Sequence, residues 1–99
     1  MKKREELPAL RSFLRGYLHE DWKHEYESVE QAVRDFWEDA DPEERNQVRA
    51  EWLTFVESVK GQPLDKIAHR LQYFGAAWRP SSESDLDAIT RSFQHHPSA

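Results

Sequence analysis

Apolar residues recur three and four positions apart along most of this chain, and that spacing admits helices and little else. Leu10, Phe13, Leu14, Tyr17 and Leu18 fall at i, i+3, i+4, i+7 and i+8, which places all five on one helix face. No segment alternates apolar and polar residues with the period of two that a half-buried strand requires. The pattern predicts a first helix from about Pro8 to Leu18, with Pro8 suited to a first turn. Gly16 inside it costs roughly 1 kcal/mol against alanine, which suggests close approach of a neighbouring segment.

Ser28-Val-Glu-Gln31 fits a capping box, in which the serine oxygen takes a free amide and Gln31 reaches back, so a second helix begins there. Val29, Val33, Phe36, Trp37 and Ala40 line one side of it, and Glu30, Asp35, Glu38 and Asp39 fall around the other. Asp41-Pro42-Glu43-Glu44 opens a third helix, with an N-cap, a proline at the first position and carboxylates at the positive end. Val48, Trp52, Phe55, Val56 and Val59 are its core stripe, and Gly61 is a C-cap candidate. Leu64, Ile67, Ala68, Leu71 and Phe74 predict a fourth helix ended by Gly75. A loop with Trp78 and Pro80 follows, and Ser82 or Ser84 caps a last short helix carrying Leu86, Ile89 and Phe93. Short connections favour consecutive helices as antiparallel neighbours. The expectation is an all-α fold, a small antiparallel bundle of four to five helices. It forms one domain over residues 1–99, with 1–7 and 95–99 frayed.

Four Trp, five Phe and three Tyr supply such a core and argue against disorder. No apolar run approaches the ~20 residues of a membrane span. The basic N-terminus lacks the apolar region of a signal peptide. There is no cysteine, hence no disulfide framework and no thiolate metal site. A cytoplasmic protein is expected.

The net charge of −5 is unevenly spread. Residues 1–19 carry net +3, residues 20–44 carry eleven Asp/Glu against Lys23 and Arg34 for net −9, and residues 45–99 carry net +1. A field of that sign repels nucleic acid and attracts a basic partner. A solvated helix face would have the same composition. Arg11, Arg15, Arg45 and Arg49 are too dispersed for a nucleic-acid face and are expected to pair with the acids.

Other chemistry is weakly signalled. His19 and His24 are five apart, whereas a helical zinc site wants four, although His19, Asp21 and His24 could converge in a loop. No carboxylate pair stands out for acid–base work. No Gly-x-Ser-x-Gly elbow surrounds a serine, and three glycines make a phosphate loop hard to build. No catalytic residue, metal or cofactor is therefore assigned. Tyr17, Trp22 and Tyr26 read either as core aromatics or as interface anchors among acids, and Tyr73 falls opposite its helix's apolar face.

Leu10-x-x-Phe13-Leu14-x-Gly16-Tyr17-Leu18-His19-x-Asp21-Trp22 carries a family resemblance. It continues through Tyr26, Ser28, Ala32-Val33-x-x-Phe36, Leu71-x-x-Phe74-Gly75 and Pro80. Over about residues 8–93 the chain resembles the CdiI-type immunity proteins of bacterial contact-dependent growth inhibition systems, in the small all-helical family. Where the family pattern opens the last helix with a Trp-Leu pair, Asp85-Leu86 stands here. The resemblance implies a non-enzymatic cytoplasmic antidote that binds the toxic C-terminal domain of a cognate effector, often a nuclease. The charge map agrees independently, because an acidic inhibitor can compete with nucleic acid for a basic nuclease and gain on-rate by steering. The expected toxin contacts are Asp21, Trp22, Glu25, Tyr26, Glu27, Glu30, Asp35, Glu38 and Asp39. A helical adaptor with another partner is the alternative, distinguished by weak salt dependence. A metal enzyme on His19, Asp21 and His24 is a third, distinguished by bound metal.

Overall fold

The computed structural model describes residues 7–94. Residues 1–6 and 95–99, expected to be frayed, lie outside the described residues. Six helices follow one another: α1 (Pro8–Tyr17), α2 (Trp22–Glu25), α3 (Val29–Asp39), α4 (Pro42–Val59), α5 (Leu64–Tyr73) and α6 (Glu83–Gln94). Among the described residues there is no strand. The helix beyond the expected four or five is α2, a single turn in the link between α1 and α3. Its Trp22 N–H bonds to the His19 carbonyl, and its carbonyl receives the Tyr26 N–H.

The longest helix, α4, is the centre of the packing. α1 and α6 both lie against it, and α3 lies against α6 and α1. These are mostly not consecutive pairs, so the expectation that neighbours in sequence are the main neighbours in space is not met. The reason is the placement of the large rings. Trp52 and Phe55 of α4 and Phe93 of α6 are almost wholly buried. The Phe93 ring touches Phe13 of α1 at 5.7 Å, Trp37 of α3 at 6.1 Å and Trp52 of α4 at 6.3 Å between centroids. Burying one such ring is worth about 1.5–3 kcal/mol, so the last helix draws three earlier ones around its end. The Trp52 indole N–H donates to Thr90 Oγ1 at 2.8 Å, and that hydroxyl donates to the Leu86 carbonyl, so the one polar atom of this ring is satisfied.

Local signals set the helix ends. Ser28 Oγ accepts from Gln31 N–H at 3.1 Å, and the Gln31 side chain reaches back one residue further than a capping box requires, to Glu27 N–H at 2.7 Å. Asp41 Oδ1 accepts from Glu44 N–H at 2.8 Å. At the end of α5 the Ala76 N–H returns to the Leu71 carbonyl and Gly75 N–H to the Gln72 carbonyl, a Schellman closure. Gly75 has φ +109°, and a Cβ there would meet Arg15 Cγ at 2.6 Å. At the start of α6 the Asp85 carboxylate, not a serine hydroxyl, accepts the Ser81 N–H at 2.6 Å, while Ser82 and Ser84 hydroxyls bond each other. Leu86 beside Asp85 is buried, so this departure from the family pattern still seats the helix.

Three expectations are corrected. A Cβ on Gly16 would meet nothing within 4 Å, because that side of α1 faces solvent; the close approach is at Gly75 instead. Leu7 is not frayed: it is 9% exposed within the core. Its φ of 48° turns the chain into α1, whose first-turn amide at Leu10, lacking a partner within the helix, is taken by Glu51 Oε1 of α4 at 2.8 Å. Finally, among the described residues Arg15, Arg45 and Arg49 form no ion pair with an acid, and no arginine pairs with the block of residues 20–44. Arg11 lies over the Tyr73 and Phe74 rings at 5.3 and 5.0 Å, Arg70 over Phe74 at 5.7 Å, and Arg45 and Arg49 over Trp37 at 5.6 and 5.9 Å. Arg45 Nε also donates to the Trp37 carbonyl near the end of α3.

Candidate functional site

The acidic block and the tyrosines of the first third meet on one side of the fold. α3 buries Val29, Ala32, Val33, Phe36 and Trp37, and this turns Glu30, Asp35, Glu38 and Asp39 to solvent. The extended backbone at Tyr26, between α2 and α3, lays that side chain along α3. Its hydroxyl donates to Asp35 Oδ2 at 2.9 Å.

Aromatic rings run from the core out to this face. Phe13 stacks on Tyr17 at 5.6 Å with 19° between planes, and Tyr17 stacks on Tyr26 at 6.3 Å with 28°. Phe36 closes the corner edge-on, 5.1 Å from Phe13 and 5.6 Å from Tyr17. Phe13 is buried, whereas the two outer rings are half-buried and carry hydroxyls among carboxylates. Burial, then the charges of Asp39, Asp35 and Glu44, push the Tyr17 hydroxyl above its ordinary pKa. Burial, then the hydrogen bond to Asp35 and the charge of that carboxylate, push Tyr26 upward as well. Both phenols therefore stay protonated as hydrogen-bond donors.

Two depressions flank the tyrosines. One is an open cleft of about 460 Å³ between Glu25, Tyr26, Gln31, Arg34, Asp35 and Glu38. The other is a smaller notch between α1, α3 and the start of α4, floored by Phe13, Tyr17 and Phe36 and rimmed by Asp39 and Glu44. Glu25, Tyr26, Asp35, Glu38 and Asp39 are thus brought together. Asp21, Glu27 and Glu30 are exposed but line neither depression. Trp22 is corrected: the single turn of α2 rotates its ring into the core at 9% exposure, so it leaves the candidate surface. Sequence reading left Tyr17 open between core and interface and treated Glu44 as a helix-end charge. The i, i+4 spacing of Phe13 and Tyr17 was the available signal for the first, and nothing local signals the second.

Among the described residues, none of the eleven carboxylates between 20 and 44 forms an ion pair with Lys or Arg, and Glu25 faces His19 Nε2 at 3.5 Å. The other nitrogen of that imidazole, Nδ1, accepts from Asp21 N–H at 3.1 Å. His19 is therefore engaged on both sides, and among the described residues no group of three or more His, Asp or Glu is placed to hold a metal. No helix among them is long and apolar enough to cross a membrane.

A family model described as CdiI immunity protein matches residues 6–93. The chain belongs to the CdiI immunity protein family. No curated protein and no solved structure matches it.

Proposed function

We propose that this immunity protein is a cytoplasmic, non-enzymatic antidote that binds the C-terminal toxin domain of its cognate effector, a basic nuclease, through the carboxylate–tyrosine face. Asp21, Glu25, Tyr26, Glu27, Glu30, Asp35, Glu38 and Asp39 are the proposed contacts, with Tyr17 and Glu44 added by their place in the fold. The observation that carries this reading is the lack of internal compensation. Arg45 and Arg49 lie on the Trp37 ring, and Arg34 lines the cleft beside Glu25, Asp35 and Glu38 without forming an ion pair among the described residues. Glu38 and Asp39 occupy the last turn of α3, where the helix field disfavours anions. Charges left unpaired in the free protein are available to steer and hold a cationic partner.

Growth rescue tests the function. The toxin domain encoded just upstream is induced in a susceptible bacterium with and without this protein, and rescue is the expected result. Binding of the purified pair tests the face. Glu30, Glu38 and Asp39 changed together to Lys should leave the helical fold intact, because all three side chains are exposed. The same change should slow association roughly a hundredfold at low salt. Wild-type affinity should fall as salt rises. Undiminished binding by the reversed variant at physiological salt would remove the acidic face from the interface, whatever the rescue test shows.

A further inference from the structure

The notch beside Tyr17 has a chemistry of its own. Its volume of about 140 Å³ is well below the ~300–1,000 Å³ of small-molecule pockets, so it suits a single side chain. Phe13 and Tyr17 stack along one wall, and Phe36 meets both at a steep angle, 67° and 79°, which makes an apolar corner. Asp39 and Glu44 stand at the rim, and Ser12 lies at the mouth on the exposed side of α1. An occupant must therefore be apolar along its stem and cationic at its tip.

The rest of the molecule distinguishes between the two cations. Trp37 and Phe74 each have two arginines of this chain over them, and Tyr73 has one. Among the described residues no arginine lies over the Tyr17 or Phe36 ring, although acids wait there to pair with one. A planar guanidinium presents donors along two edges and can bond two carboxylates at once, which a lysine ammonium does less well.

We infer that the notch formed by Phe13, Tyr17 and Phe36, with Asp39 and Glu44 at its rim, receives an arginine side chain of the toxin domain. The stem lies in the apolar corner and the guanidinium at its tip pairs with the two carboxylates. This rests on the immunity reading for the identity of the partner, and on the notch alone for the chemistry of the occupant.

The test has two arms. In the first, the full chain is titrated with N-acetyl-arginine amide to tens of millimolar and followed by NMR. Saturable shifts should centre on Ser12, Tyr17, Phe36, Asp39 and Glu44, should be smaller with the lysine analogue, and should vanish in D39N/E44Q. Shifts absent, spread evenly over the acidic block, or equal for lysine would overturn the arginine assignment. In the second arm the toxin domain is bound to wild type, to Ser12→Trp, which plugs the mouth, and to D39N/E44Q. Each variant should bind about tenfold or more weakly, the loss expected of a central anchor. Should Ser12→Trp misfold, the charge-neutral variant carries the result. Equal binding by wild type and a folded variant would defeat the arginine inference and leave the immunity reading standing. No toxin binding by wild type would defeat the immunity reading, and with it the toxin as the source of the arginine.

Discussion

Two faces of this small protein carry charge in opposite ways. Along α1, α5 and the turn after it, cations are absorbed into the fold. Arg11 and Arg70 cover Phe74, Arg15 packs its methylenes on Gly75, and the Ala77 N–H ties the turn to the Leu18 carbonyl at 2.8 Å. Along α2, α3 and the start of α4, anions are left facing water, tyrosine hydroxyls and helix amides. A buried or stacked charge contributes to stability through packing as much as through its field. An unpaired exposed charge contributes nothing and repels its neighbours. The contrast separates a face that holds the fold from the face proposed to meet the toxin.

The comparison is broken most severely on the arginine side. Gly75→Ala places a side chain at φ +109° and against Arg15 Cγ. A non-glycine residue in such backbone costs about 1–3 kcal/mol, and the Arg15 stem must move as well. Urea unfolding should show that loss in midpoint. Toxin affinity per folded molecule should hardly change, since neither Gly75 nor Arg15 is among the proposed contacts. A large affinity loss at full folding would mean that both faces dock.

On the acidic side the tyrosines make a smaller, pH-dependent contribution. An unfolded tyrosine loses its proton near 10.0, whereas Tyr17 and Tyr26 hold theirs to higher pH in the fold. Above pH 10 the native state therefore binds more protons than the unfolded state, and stability falls as pH rises. Their contribution is complete below that pH. Urea melts between pH 9 and pH 12 should show this decline in wild type and a shallower one in Y17F/Y26F. Parallel curves for the two proteins would mean that burial and the neighbouring carboxylates do not hold the phenols protonated.

How much of this was legible in the residues follows the same divide. Helix positions and caps at Ser28 and Asp41 are local chemistry, written in residues three or four apart, and they were readable. The all-α class followed from them. Which helices touch was not readable, because the Phe93 hub joins rings from positions 13, 37, 52 and 93. Arginine placement failed for a similar reason: charge counting pairs opposite signs, while the fold offered Trp37 and Phe74 as nearer, flatter partners. At the acidic face the sequence located the carboxylates but not the notch, since Glu44 and Tyr17 become neighbours only when α4 closes on α1. Gly16 was misread because a glycine in a helix signals either close approach or nothing. Here it lies open to solvent between Arg15 of one face and Tyr17 of the other, so Gly16→Ala should stabilise by about 0.4–1 kcal/mol. Thermal melts check this, and a loss of stability would show a contact at that site after all.

The smallest expected effect sharpens the comparison most. Glu38 sits in the last turn of α3, which holds no basic residue, and lines the tyrosine cleft together with Arg34 without forming an ion pair among the described residues. An anion there opposes the helix field by about 0.3–1 kcal/mol. Because Arg45 donates to the Trp37 carbonyl nearby, the lower end of that range applies. Glu38→Gln should therefore raise the unfolding free energy by about 0.3 kcal/mol while slowing association with the toxin. A residue whose removal stabilises the free protein and weakens the complex is retained for the complex. If Glu38→Gln instead lowers stability, Glu38 has a structural partner in solution, and the acidic face is as internally satisfied as the arginine face opposite.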